Sequence, residues 1–158
     1  MKIFIGCDHA GFELKQVLVP FLRELGNEVY DKGAHEFNPE DDYPDFIIPV
    51  AREVAKNSEN CRGIIIGGSG QGEAMAANRF HGVRAAVFNG QYEPRDGRAV
   101  PQEIVIIREH NNSNILSLGA RFLSVEEVKS AVELWLKTPF TLEERHSRRL
   151  KKLEELSA

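Results

Sequence analysis

The chain has 158 residues, 42% hydrophobic and 28% charged, a length typical of one domain and a balance that supports a packed core and excludes disorder. Its 20 Lys and Arg against 24 Asp and Glu leave a net charge of −4, which excludes a general nucleic-acid binder and requires any bound anion to be met by a local cluster of cations. No apolar run reaches the ~18 residues of a membrane span, residues 1–13 are too polar for a signal peptide, and Cys7 and Cys61 make neither a CxxC nor a metal-ligand spacing, so a reducing cytoplasm is the expected compartment.

Residues 2–6 (KIFIG) form a short apolar run ending in glycine, as a buried strand does. Leu14, Val17, Leu18, Phe21, Leu22 and Leu25 then trace one helical stripe, with Gly26 as its C-terminal stop. Pro20 falls inside that stripe and predicts a kink or a lost backbone bond. Residues 28–30 read as a weak second strand and 32–42 as an acidic loop. Tyr43-Pro44-Asp45 opens a second helix running to about Asn57, in which Pro49 is awkward unless the helix begins later. Residues 62–67 (RGIIIG) are the clearest strand, with the three successive isoleucines of a parallel strand covered on both faces. They lead into GGSGQGE and a small-residue helix over 74–79. A fourth strand over 83–88 precedes an insertion at 89–100 punctuated by glycine and proline, and 101–109 suits either a strand or a helix. A fifth strand spans 114–118. Ser124 with Glu127 predicts a capping box and a helix to about Lys137, and Thr141 with Glu144 repeats that signature before a charged C-terminal helix.

This alternation predicts a Rossmann-like, doubly wound parallel sheet of about five strands in three α/β/α layers, with right-handed crossovers. Residues 1–140 are expected to form one α/β domain, and 141–158 a basic helix belonging to it. In such sheets ligands bind outside the carboxyl ends of the strands, which makes 7–11, 67–73 and the segment from Asn89 onward the candidate site segments.

The loop Gly68-Ser69-Gly70-Gln71-Gly72 lets a ligand approach the main chain closely, and its amides suit negative charge. It matches neither dinucleotide nor nucleotide fingerprints: Glu73 stands where a third glycine is required, and no GK[ST] follows. A tight turn without a ligand is the plain alternative. Glu73, in the first turn of the next helix, is either an acid that suits the helix dipole or a base held beside an anion hole. Asp8 and His9 either bind sugar hydroxyls and phosphate or serve as the cap and first turn of a helix. His110 has the pKa range of a neutral-pH proton donor, although a lone loop histidine is more often simple surface. On the C-terminal helix, Arg145 and Arg149 share a face able to grip phosphate; a solvated basic face balanced by Glu143, Glu144, Glu154 and Glu155 is the alternative. Leu142, Leu150 and Leu153 are expected to form its apolar stripe.

Six ordered motifs, CDHAGFELK (7–15), DDYPDF (41–46), GGSGQGEAMAANR (67–79), REHNN (108–112), LGAR (118–121) and ERHSRR (144–149), resemble the sugar-phosphate isomerase family that includes ribose-5-phosphate isomerase B and the galactose-6-phosphate isomerase subunits. In one branch a cysteine base occupies the position of Gly67; this chain is similar to the branch whose base is the glutamate after the glycine loop. The resemblance implies Glu73 as base, His110 as promoter of ring opening, and Ser69 with the amides of Gly68, Gly70, Gln71 and Gly72 as stabilisers of an enediolate. It further implies that Asp8 and Asn111 hold sugar oxygens, and that His9, Arg121, Arg145 and Arg149 hold the phosphate. The family is metal-free and needs no cofactor. It is dimeric, with tetramers also possible, and each pocket draws on two subunits. The implied activity is interconversion of ribose 5-phosphate and ribulose 5-phosphate. Alternatives are another sugar phosphate (allose 6-phosphate or galactose 6-phosphate), a non-catalytic sensor, or a subunit that needs a paralogous partner. Residues 89–107 depart from the family pattern and leave the sugar open.

Overall fold

The computed structural model describes residues 1–97, 99 and 102–156. Five parallel strands, β1 (Lys2–Cys7), β2 (Glu28–Asp31), β3 (Cys61–Gly67), β4 (Ala85–Phe88) and β5 (Ile115–Gly119), form one sheet in the order β2-β1-β3-β5-β4. Among the described residues six helices flank it, α1 (Phe12–Glu24), α2 (Pro44–Lys56), α3 (Gln71–Ala77), α4 (Glu103–Glu109), α5 (Val125–Lys137) and α6 (Glu144–Glu155), with a 3-10 turn at His9–Gly11.

The predicted three layers follow from side-chain alternation along the strands. Ile64 and Ile66 of β3 face α1, α4 and α5, packing with Leu18, Ile107 and Trp135. Ile65, between them, faces α2 and α3, packing with Val50, Val54 and Ala77. The chain leaves β1 toward β2 on one side and returns as β3 on the other, so the winding reverses between β1 and β3. That reversal opens a crevice at their carboxyl ends.

Local signals were translated unevenly. The α1 stripe buries Leu14, Leu18 and Leu22, but Leu25 is exposed. Gly26 adopts φ +81°, and its amide and that of Asn27 donate to Arg23 and Leu22 at 2.9 and 3.2 Å, closing a Schellman motif. Both helices run through their internal prolines, Pro20 and Pro49. The helix after the glycine loop starts at Gln71, three positions before the expected Ala74, which places Glu73 within its first turn. β4 begins at Ala85 instead of Val83, and 103–109 is helix; residues 98, 100 and 101 of the insertion lie outside the described residues.

Two expectations at the C-terminus are corrected. Ser124 and Glu127 form the predicted capping box, but Thr141 and Glu144 do not. Thr141 Oγ1 instead donates to the Glu109 carbonyl at 2.9 Å, and α6 begins after Glu143 with no side-chain cap. Leu142 lies before α6 at φ +57°, 75% exposed, so it belongs to no stripe. The residue α6 buries is His146.

One element escaped the hydrophobic pattern altogether. Lys15 is fully buried in α1, and its ammonium donates to both Asp31 oxygens at 2.6 Å and to the Ala34 carbonyl at 2.7 Å. Asp31 also accepts from the Gly33 amide at 2.9 Å, so the pair anchors the chain as it leaves β2 toward the site. Asp31→Ala strands a buried cation and is expected to lower unfolding free energy by about 3 kcal/mol in urea titrations. Lys15→Met combined with Asp31→Leu should lose less than that single change.

Candidate active site

At the crevice between β1 and β3 lies a cavity of about 300 Å³, walled by Asp8, His9, Gly68, Ser69, Gly72 and Glu73, with Tyr43, Arg121 and Phe122 at its margin. Asp8 leaves β1 buried, and its Oδ1 accepts from the amides of Ala10 and Gly11 at 3.0 and 3.3 Å. It therefore caps the 3-10 turn and lines the cavity at once. His9 is held by Asp41, whose Oδ1 accepts from the His9 amide at 3.0 Å and lies 2.6 Å from ring Nδ1. An ionised carboxylate only accepts, so Nδ1 carries the hydrogen and Nε2 is the ring atom left for a ligand.

The glycine loop is oriented from behind. Its successive carbonyls are all engaged: Gly67 with the Ala120 amide at 2.8 Å, Gly68 with the Arg121 amide at 3.2 Å, Ser69 with Asn89 Nδ2 at 3.0 Å, and Gly70 with Ser117 Oγ at 2.6 Å. In a trans peptide the N–H points opposite to the preceding C=O. Tying the carbonyls of Gly67, Gly68 and Ser69 toward β5 and Asn89 therefore turns the amides of Gly68, Ser69 and Gly70 the other way. Among the described residues those amides meet no acceptor, which is the arrangement of an anion-binding nest. Gly70 makes the turn at φ +74°, and a Cβ there would also press on Ser117 Oγ.

Glu73 is 5% exposed, and its carboxyl occupies the space directly over Gly67: a Cβ built at Gly67 collides with Glu73 Oε1 and Cδ. Burial, and to a smaller degree the charge of Asp8, hold its pKa above the ordinary glutamate value, against the opposing pull of its own main-chain amide. Arg121 lays its guanidinium over Gly68, where a Cβ would meet Cζ at 3.0 Å. It carries no ion pair among the described residues. The chemistry available is thus a poorly solvated carboxylate, a row of free amides and an unpaired cation around one small cavity. Asp8, His9 and Asp41 also bring possible metal-ligand atoms within 4.8 Å of one another. Oδ1 of Asp8 and Oδ1 of Asp41 are engaged by amides, the latter also by the imidazole, as in a hydrogen-bonded cap, while Asp41 Oδ2 is buried without a hydrogen-bond partner.

The family model for Ribose/Galactose Isomerase matches residues 3–153. The chain belongs to that family. Ribose-5-phosphate isomerase B of Mycobacterium tuberculosis is 36% identical over 155 residues, 98% of this chain and 89% of that protein. The Escherichia coli protein of the same name is 40% identical over 135 residues, 85% of this chain and 83% of its own. Among solved structures, the Mycoplasma genitalium ribose-5-phosphate isomerase B with bound ribulose-5-phosphate superposes with a TM-score of 0.89. It is 37% identical, covering 98% of this chain and 95% of that one.

Within the loop, Gly70 is buried and Gln71 is exposed at the start of α3. The remaining family-motif residues stand elsewhere. His110 and Asn111 follow α4 and precede β5, at the opposite edge of the sheet; β5 alone separates the edges by roughly 13 Å at ~3.3 Å per residue. Asn111 lines a different cavity, of about 470 Å³, between β4 and α6. Arg145 and Arg149 are exposed on α6, with Arg145 Nε donating to Glu143 at 2.8 Å. Buried Arg108 organises this second cluster, donating to the carbonyls of Thr138 and Ser113 and to Asn112 Oδ1 at 3.1, 2.5 and 2.9 Å. One chain thus carries two clusters of family-motif residues at opposite ends of the strands.

Sequence reasoning assigned no role to Asp41, Asn89 or Ser117. Asp41 lies within the DDYPDF motif, and Asn89 lies at the carboxyl end of β4; Ser117 in mid-strand gives no local signal. Because ionising Glu73 in the folded chain is unfavourable, its raised pKa subtracts stability once pH rises above the ordinary glutamate range, where the unfolded chain has lost its proton. Glu73→Gln should therefore melt higher than the parent protein at pH 7, the difference vanishing below about pH 4. Thermal melts across that range measure it.

Proposed function

We propose that the chain interconverts ribose 5-phosphate and ribulose 5-phosphate as a metal-independent aldose–ketose isomerase. The observation that carries the reading is the Glu73 carboxyl lodged over Gly67, beside the free amides of Gly68, Ser69 and Gly70. A hydrogen on carbon next to a carbonyl becomes acidic only when the enediolate formed is stabilised. Fixed amides aimed at the developing charge supply that, about 3 kcal/mol for a well-placed donor. Glu73 removes the proton from C2 and returns it to C1; its partial desolvation strengthens it as a base. Ser69 and the amides through Gln71 and Gly72 surround the enediolate oxygens, and Asp8 accepts from a sugar hydroxyl. At the far end of the substrate, His9 and Arg121 meet the phosphate, fixing orientation through binding energy remote from the reacting carbons.

His110 as the ring-opening acid, Asn111 on a sugar oxygen, and Arg145 and Arg149 on the phosphate complete the site. They do so from a second copy of the chain, because in one copy they occupy the opposite sheet edge. A homodimer, or a tetramer built from it, is the assembly this requires. We read residues 1–140 and the basic helix as one unit. Supporting this, Arg84 on the β4 side donates to Glu154 of α6 at 2.9 Å, and Thr141 is tied to Glu109. Among the described residues no helix is long and apolar enough to cross a membrane. Cys7 and Cys61 are both buried free thiols, which supports the cytoplasm as its place of action.

Pure protein should isomerise ribose 5-phosphate with a higher kcat/KM than allose 6-phosphate and wash deuterium from solvent into the product. Absence of both turnover and exchange would indicate a sensor instead. Glu73→Gln should lower kcat more than a hundredfold while substrate still binds; a near-normal rate would remove Glu73 as the base. Glu73→Gln and His110→Ala should each be inactive alone. Mixed after unfolding and refolding, they should recover about a quarter of parental activity, since half the dimers then hold one intact site. No recovery would place both groups in one subunit's site.

A further inference from the structure

The deepest residue of α6 is an imidazole. His146 is 3% exposed in a helix whose leucines lie nearer the surface, and its ring lies face to face with His110, centroids 4.2 Å apart and planes 12° from parallel. Its Nε2 is buried without a hydrogen-bond partner; Glu143 Oε2, at 3.8 Å, is beyond reach of one. A buried polar nitrogen left unpaired is unfavourable, and a leucine would fill the place at less expense. Simple packing therefore does not account for the choice of residue.

We propose that His146 is a positioning residue for the ring-opening step, a neutral aromatic platform that orients the His110 ring and leaves the pair's single proton on His110. This rests on the reading of His110 as the acid that opens the sugar ring.

Two charged imidazoles stacked at this distance repel, so the pair holds one proton over the range in which histidine titrates. The environment decides which ring keeps it. The charged groups acting on His146 are His110 from α4, and Glu143, Arg145 and Arg149 from α6 and its N-cap. Burial first, then His110 and Arg145, lower its proton affinity, with Glu143 opposing and Arg149 adding to the effect. Arg108, on α4, is turned away into Thr138, Ser113 and Asn112. His110 is less buried than His146, and a cationic ring over a neutral aromatic face is stabilised as other cation–π pairs are. His110 is thereby the favoured partner for the pair's proton and is held in plane against the His146 ring, as proton delivery to a ring oxygen requires.

The test begins with the unaltered protein: NMR titration of the histidine C2 protons between about pH 5 and 8 should show His110 taking up a proton and His146 remaining neutral. Protonation of His146 first would overturn the proposal, whatever the variants do. His146→Phe keeps a ring; His146→Leu fills comparable space without one. His146→Phe should retain kcat within about twofold and the parental His110 midpoint. His146→Leu should lose about tenfold in kcat with KM little changed, and move that midpoint to lower pH. Parental kcat and titration in His146→Leu would overturn the proposal, because only the platform distinguishes the two variants. His110→Ala separates the layers: a parental rate there overturns ring opening by His110 and this inference with it. A slow His110→Ala beside an unaffected His146→Leu overturns this inference alone.

Discussion

The carboxyl of Glu73 and any side chain at position 67 compete for the same volume, and in this chain the glycine yields it to the glutamate. That single accommodation organises the site. It brings an acid from the first turn of α3 back over the end of β3, out of bulk water. There its proton affinity rises without a hydrophobic wall having to be built around it. A side chain at position 67, such as the cysteine base of the family branch this sequence does not resemble, would require the glutamate to leave. The two ways of placing a base are alternatives in space as well as in chemistry.

The loop beside it shows how a backbone becomes a reagent. Glycines alone give freedom, not direction. Direction comes from β5 and its exit, where Ser117 and the amides of Ala120 and Arg121, with Asn89 from β4, hold four consecutive carbonyls and so present the amides to the cavity. Donors fixed in this way need no reorganisation as charge develops, which is the main advantage of a folded site over water. The same economy recurs at His9, whose main-chain amide and ring are both fastened to one oxygen of Asp41.

Much of this was legible from residues alone. The three isoleucines of β3, the leucine stripe of α1 as far as Leu22 and the capping box of Ser124 and Glu127 are local periodicities and local hydrogen bonds, and they fold as read. The glycine loop followed by Glu73 was legible too, because strand, turn and helix are contiguous there. The reading failed where a local signal was overridden by a distant partner. Thr141 had the spacing of a cap but bonds Glu109, and α6 had leucines to bury but buries His146 against His110. Lys15 gave no signal in the hydrophobic pattern, and only the fold brings Asp31, from a neighbouring strand, to meet it in the core.

By itself the sequence determined the layered parallel fold and the family motifs, and it named the candidate reactive groups, since these depend on residue type and short-range spacing. Only the tertiary structure decided that Glu73 fills the space over Gly67, that the loop amides are free, and that the histidine and arginine motifs sit on the opposite sheet edge from Glu73. Those facts depend on which segments the winding order of the strands brings together, and a parallel sheet joins residues tens of positions apart while separating neighbours in chain order.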